Sequence, residues 1–368
     1  MRKILAIAPY PYLPYFSGGQ KFIAGFYEHL GRSADLTVIS TRKNDPSLAS
    51  GYRLLPLLKN SFTRYYDPSL VNLVSSHIKE LNIDTVIWEH PYYAWLALRM
   101  KKKTGVQTIL HTHNIEYQRF KSMGKWWWPV LRRYEKKFFR GADRILFISD
   151  EDKKFATENW QVDPEKCIDV PFGIDIQSYP ADRSVHQENL RAQYGIDPKE
   201  KILLFNGLLN YGPNLDALKA ILENINPLLL QKQLRYKILV CGKGLPEEFH
   251  GLDAWRESNI IYAGFVDDIA AHFKAADVFL NPVMSGGGVK TKMVEAIAYG
   301  TTVVSMESGA AGIRREVCGS KLVVAEDGNW EKFADEVIRA SEVQSETPPG
   351  YYQYYHWDGI IRNLISSI

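Results

Sequence analysis

Short runs rich in Val, Ile and Leu recur along the chain with longer, more polar stretches between them, and the pattern appears twice. KILAIA (3–8), LTVIS (36–40), TVIWEH (85–90), QTILHTH (107–113) and RILFIS (144–149) fall in the first half. ILLFNG (202–207), YKILVCG (236–242), IIYAGF (260–265), VFLNP (278–282), TVVSM (302–306) and KLVVA (321–325) fall in the second. A strand that is apolar on both faces must be covered on both, and the intervening segments are long enough to be the covering helices. The expected architecture is α/β, with two doubly wound parallel sheets. At 368 residues the chain is too long for one ordinary core, which also argues for two domains. Their expected bounds are 1–173 and 202–351, joined by a polar linker, 174–201, that carries Pro180 and Pro198. The aromatic segment 352–368 is free to pack on its own domain or to cross back onto the first.

The apolar fraction of 45% is that of a soluble globular protein. Cys167, Cys241 and Cys318 are far apart and match no disulfide or zinc spacing, so they are expected as free thiols in a reducing compartment. The opening MRKILAIAPYPYL soon meets Pro9, Pro11 and Pro14, which fits a first strand rather than a leader peptide. No stretch is apolar for long enough to span a bilayer. A cytoplasmic protein is expected, with peripheral membrane attachment left open. The net charge of +3 is uneven: 26 Lys+Arg stand against 18 Asp+Glu through Asp175, and 19 against 24 after it. A basic first half and an acidic second half imply different partners.

VFLNPVMSGGGVKTKMVEAIAYG (278–300) is organised as strand, loop and helix. In an open parallel sheet this loop lies where ligands bind, beyond the carboxyl ends of the strands. Gly286, Gly287 and Gly288 keep side chains out of the way. A helix starting near Val289 directs unpaired N–H groups and a positive dipole end at the loop, which suits phosphate, and Lys290 and Lys292 add charge. Val289, Met293, Ala296, Ile297 and Gly300 form the stripe facing the sheet. Glu295 lies off that stripe and leans back toward the helix start, where a carboxylate suits ribose hydroxyls. An ion pair with Lys292, three residues earlier, is the competing use.

With its surroundings, this stretch resembles the donor site of retaining glycosyltransferases of the GT-B fold, closest to family 4, the "glycosyl transferases group 1" set. ILLFNGLLNYGPNLDAL (202–218) resembles the opening strand of that family's C-terminal domain, and 260–313 resembles its donor-binding core. SGGQKFIAGFYEHL (17–30) resembles the glycine turn and first helix of the N-terminal domain, HTHNIEYQRF (111–120) its His-Asn-x-Glu segment, and FISDEDKKF (147–155) and VPFGIDIQSY (170–179) its last strand and crossover. The resemblance implies two Rossmann-like domains facing across a cleft, with the donor on the second, the acceptor on the first, and closure excluding water. It implies that Glu295 holds the donor ribose and that Phe265 and Val266 lie against the base. Gly18 and Gly19 would bring amides toward the diphosphate, Gly207 would belong to the donor site, and His113 would sit at the sugar end. Departures are equally plain. The first glutamate of the family's Glu-x7-Glu motif falls on Gly287, the Arg and Lys common after the first strand of the second domain are missing, and Phe172 replaces a common asparagine. Lys290 or Lys292 is the expected substitute for the missing charge.

The chemistry needs a pocket for a cation-like sugar and stabilisation of a departing nucleotide diphosphate, which loop amides and lysines supply without a metal. No metal and no cofactor beyond the donor are expected; Asp150-Glu151-Asp152 fits a helix start with a solvated acidic turn. His111 and His113 end a strand on the same face, with Asn114 and Glu116 beyond them. His113 is the preferred catalytic residue and His111 the second choice. Glu89 and His90 end the preceding strand and, with Asn114 and Glu116, are expected on the acceptor side; a capped strand-to-helix turn at Pro91 is the competing use of Glu89 and His90. In 119–144, Lys121, Lys125, Arg132, Arg133, Lys136, Lys137 and Arg140 interleave with Trp126, Trp127, Trp128, Phe138 and Phe139. That mixture fits an anionic membrane surface, or equally a packed helix with a solvated basic face, and not nucleic acid. The expected activity is sugar transfer with retention to a glycan or lipid-linked acceptor in surface polysaccharide or glycoconjugate synthesis. A nucleotide-sugar epimerase and a non-catalytic glycan-binding relative are the rivals.

Overall fold

In β1 (Lys3–Ala8) every residue from Ile4 to Ala8 is buried, as a strand covered on both faces requires. A computed structural model describes all of residues 1–368, and the chain divides into two units. Unit 1 comprises Met1–Gly173 with Tyr355–Ile368, and unit 2 comprises Ile174–Tyr354.

Unit 1 continues with β2 (Asp35–Thr41), β3 (Arg53–Leu58), β4 (Thr85–Glu89), β5 (Gln107–Thr112), β6 (Arg144–Phe147) and β7 (Cys167–Asp169). They lie in the order β3-β2-β1-β4-β5-β6-β7, all parallel. Unit 2 holds β8 (Lys201–Asn206), β9 (Tyr236–Cys241), β10 (Ile260–Gly264), β11 (Val278–Asn281), β12 (Thr302–Met306) and β13 (Leu322–Ala325). Their order is β10-β9-β8-β11-β12-β13, again all parallel. Chain order reverses between β1 and β4 in one sheet and between β8 and β11 in the other, the switch points where crevices open in such sheets. Trp88, Leu110 and Ile145 lie in the core of unit 1; Leu203, Val240 and Leu280 lie in that of unit 2.

Two strands had no sequence signal. β3 contains Pro56, which cannot donate to a ladder, and β7 is three residues long; both are edge strands, where each defect is tolerated. The expected linker also needs correction. Helix Arg183–Tyr194 within it is an integral part of unit 2. Its Arg183 guanidinium donates to Tyr299 O at 2.6 Å and Ala276 O at 3.0 Å, capping the carboxyl ends of two helices. A cation at a helix C-terminus is favourable, so a polar segment docks here through charge rather than an apolar stripe.

The chain changes units again near its last turns. Helix Pro349–Tyr355 is tied into unit 2 by Tyr351 and Tyr352, whose hydroxyls donate to Val294 O (2.7 Å) and Ala298 O (2.9 Å). Helix Trp357–Ser367 packs instead in unit 1, on helix Gly18–Ser33. The Trp357 ring stacks on Phe22 (5.9 Å between centroids) and His29 (5.3 Å). It lies so close to Gly173 that a Cβ there would sit 2.1 Å from it.

Candidate active site

The register of unit 1 brings its polar residues together. Glu89 and His111 are paired on adjacent parallel strands, so their side chains share a face, and His113 lies two residues further along that face. The Glu89 carboxylate, fully buried, accepts from Tyr27 Oη at 2.8 Å, His111 Nδ1 at 3.1 Å and His113 Nε2 at 2.9 Å. Burial alone would raise its pKa; the charge of His111 and the hydrogen bonds from His111 and His113 outweigh this and hold the carboxyl well below the usual range. Burial, with the neighbouring His90, pushes His113 down to about 3, so its ring is neutral at ordinary pH. With Nε2–H given to Glu89, a neutral His113 carries its lone pair on Nδ1. His111, which gives Nδ1–H to the same carboxylate, is left with a buried Nε2 that has no hydrogen-bond partner. The ligand atoms of Glu89, His111 and His113 lie within 4.8 Å of one another, the one grouping of donor types that suits a divalent cation. The same atoms, with Tyr27, already form a closed hydrogen-bonded shell.

A second carboxylate organises the next layer. Glu116, also fully buried, accepts from Tyr92 Oη at 2.7 Å and Arg119 Nη2 at 2.8 Å, and its other oxygen lies 3.2 Å from His90 Nδ1. The His90 ring stands 4.3 Å from that of His113, between centroids. His90 has φ 63° and ψ 165°, a region that is essentially glycine's. Holding another residue there costs about 1–3 kcal/mol, and such strain gathers at functional sites. Glu135, from helix Trp128–Gly141, receives the backbone N–H of Glu116 (2.8 Å) and of Tyr117 (3.0 Å). Burial drives its pKa up to about 8 despite those two donors. Asn114 contributes a backbone carbonyl to Thr112 Oγ1 at 2.7 Å. Gly18 and Gly19 open helix Gly18–Ser33, where Ser17 Oγ accepts from Gln20 N and Gln20 Oε1 from Phe16 N, a reciprocal cap. The acidic turn 150–152 does start a helix, but it is not simply solvated: burial raises Asp152 to about 6.

In unit 2, β8, β9 and β10 end at or run into Gly207, Gly242 and Gly264. A Cβ on Gly207 would lie 2.7 Å from the Asn214 amide, and one on Gly242 1.9 Å from Gly207 O, so the strand ends form a floor of bare backbone. Gly286 and Gly288 take φ of 83° and 79°, and Gly286 lies against Tyr211 and Pro213. The helix begins at Thr291, two residues after the expected start, and Met293, Ala296 and Ile297 bury as expected while Val289 is only half-buried. Lys290 differs from expectation: its Nζ folds back onto the carbonyls of Gly286 (2.9 Å), Gly287 (3.4 Å) and Gly288 (3.1 Å). Lys292 Nζ donates to Asn206 O at 3.0 Å and Asn214 Oδ1 at 3.1 Å, so its hydrogen bonds are to neutral groups and not to Glu295. Phe265 is 67% exposed beside Val266, a flat apolar face of the kind a base stacks on. Tyr27, Tyr92, Arg119, Glu135 and Asn214 carry no sequence signal for these roles, since each joins the site through tertiary packing alone.

Comparison with known proteins agrees with this geometry. Residues 200–342 match the sequence profile described as "Glycosyl transferases group 1", and residues 16–178 that of "Glycosyltransferase Family 4". The chain is 24% identical over 224 residues to an alpha-monoglucosyldiacylglycerol synthase of Streptococcus pneumoniae, covering 57% of this chain and 48%, about half, of that relative. It is 21% identical to an uncharacterised glycosyltransferase of Methanocaldococcus jannaschii over 93% of this chain and 90% of the other. Among solved structures, Anabaena HepE in complex with UDP superposes with a TM-score of 0.73 at 16% identity, over 99% of this chain and 98% of that one. The chain belongs to the group 1 glycosyltransferases of family 4 and has their GT-B fold.

Proposed function

We propose that this glycosyltransferase moves a sugar from a nucleotide-sugar donor to a glycan or lipid-linked acceptor, with retention at the anomeric carbon and without a metal. The observation that carries the donor half is the set of bare glycine ends of β8, β9 and β10 beside the switch point, with the glycine loop 286–288 following β11 and Phe265 exposed after β10. Such a surface admits a diphosphate to backbone amides and offers the base a ring. UDP is the first choice of nucleotide, since HepE is a UDP complex of the same fold. Within unit 1, neutral His113 keeps an accepting nitrogen while Glu89 and Glu116 fix the rings around it, an arrangement suited to a sugar hydroxyl.

Calorimetry with UDP, GDP and ADP on wild type and Glu295→Ala tests the donor site. One nucleotide is expected to bind saturably, and the substitution to weaken it about 10- to 100-fold, as loss of a charged hydrogen bond does. Failure of all three to bind would sink this reading and favour a non-catalytic relative. Donor isomerisation without any acceptor would favour an epimerase.

For the acceptor half, the observation is the surface of 119–144. Trp126 is 85% and Val130 65% exposed, and Lys121, Lys125, Arg132, Arg133 and Lys137 are exposed around them. Glu135, the only carboxylate between 119 and 142, is buried, so this face is basic and aromatic without exposed acid. That composition suits an anionic bilayer, where indoles lodge among headgroups. No helix is long and apolar enough to cross one. Co-sedimentation with vesicles containing about one-third phosphatidylglycerol should exceed that with phosphatidylcholine alone, fall with salt, and weaken in Trp126→Ser. Equal sedimentation with both lipids would leave the basic face merely solvated.

A further inference from the structure

Lys292 is a cation without an anion. Its ammonium sits over the switch point of the second sheet, 4.9 Å from the ring centroid of Phe205 in β8 and 5.9 Å from that of Phe279 in β11. Its hydrogen-bond partners, Asn206 O and Asn214 Oδ1, are both neutral. An ammonium has three N–H donors, and two of these are assigned. Lys290 contrasts with it, because its donors are directed at three carbonyls of the glycine loop. The two lysines therefore do different work: one shapes the loop from within, and the other waits beneath it at the carboxyl end of β8.

We propose that Lys292 receives the donor's diphosphate, and that its Nζ takes up one proton from solvent as the diphosphate binds. This rests on the reading of unit 2 as the nucleotide-binding half. The groups packed against Lys292 are Phe205 and Asn206 of β8, Asn214 of the helix that follows, Phe279 of β11, and Lys290 at the head of its own helix. Only Lys290 among them titrates, and its charge opposes that of Lys292. Burial first, and Lys290 second, lower Lys292 to about 7. A diphosphate supplies the absent counter-charge and raises it again. Below that value the lysine is already charged and affinity is flat with pH. Above it, each bound ligand must bring a proton, so affinity falls by up to about tenfold per pH unit until the pKa of the bound state is reached.

The test is titration calorimetry with UDP between pH 7 and 9, above the range where its terminal phosphate titrates (pKa about 6). It is run in buffers of different ionisation enthalpy, with GDP or ADP taking UDP's place if one of those is the nucleotide bound. Wild type is expected to take up close to one proton at pH 8 and to lose affinity toward pH 9. Lys292→Gln should bind at least about tenfold more weakly at pH 7, take up no proton and show no slope. Lys290→Gln should weaken binding and keep a slope that sets in at higher pH, since the charge that opposes Lys292 is gone. Lys292→Met, which replaces a half-buried ammonium with no anionic partner by an apolar chain, should melt no lower than wild type, separating lost binding from lost fold. Unchanged affinity and slope in Lys292→Gln, with Glu295→Ala still impaired, would overturn this assignment and leave the donor site standing. No binding of UDP, GDP or ADP to wild type would overturn both.

Discussion

Glu89→Gln is expected to lower turnover at least about a hundredfold while nucleotide affinity stays within about twofold. The carboxylate accepts three hydrogen bonds, from Tyr27, His111 and His113. An amide of the same shape has one accepting oxygen and a donating NH2, so at least one histidine must change tautomer or lose its partner. For His113 that change would move the lone pair from Nδ1 to Nε2. Glu89 is thus a positioning residue, and its mark is a loss in kcat without a matching change in KM for the donor. Equal loss in both, or a loss accounted for by a lower melting temperature, would reduce it to a structural role. Glu89→Ala should do more, costing about 3–5 kcal/mol of stability because three buried donors lose their acceptor together. The pH dependence has a definite sign. The folded pKa of Glu89 is depressed, so its stabilisation is complete above the ordinary carboxylate range and fades as pH falls through it.

Trp357→Ala is expected to destabilise unit 1 by about 3–5 kcal/mol, the usual cost of removing a large buried aromatic side chain. The side chain is 3% exposed, stacked on Phe22 and His29, with Gly25 and Gly173 left bare to admit it. Little nearby is free to collapse into the space it would leave, because those neighbours are backbone and ring. Urea unfolding followed by far-UV circular dichroism should show an early transition in the variant. Gly173→Ala should reproduce much of the loss, since its Cβ would meet the indole. Coincident unfolding of wild type and variant would show that helix Trp357–Ser367 is an ornament on unit 1, not part of its core.

The parallel sheets and the glycine loop were legible in the sequence because their signals are local. Runs such as KILAIA and VFLNP state their burial outright, and a triple glycine between strand and helix has few other uses. β3 and β7 were not legible, since Pro56 and a three-residue length erase the local signal that an edge strand does without. Helix Arg183–Tyr194 was taken for linker because what holds it is a guanidinium on two helix ends, which leaves no periodic trace. At the site, Glu89, His111 and His113 announced themselves by residue type at strand ends, and their pairing follows from parallel register. Tyr27, on a helix distant in sequence, and Glu135, 18 and 19 residues from the two amides it holds, could be found only once the fold had brought them there. Lysine identity was legible at 290 and 292, but the division between them depends on side-chain direction.

Because Trp357 lies in the core of unit 1 while the intervening chain builds unit 2, the two units do not become complete in the order in which their first strands are made. Synthesis from the amino end delivers Phe22, Gly25 and Gly173 long before the indole that covers them, whereas unit 2 is a single uninterrupted stretch. The later unit is thus able to finish first. The earlier one keeps an open apolar notch on its first helix until that last segment arrives.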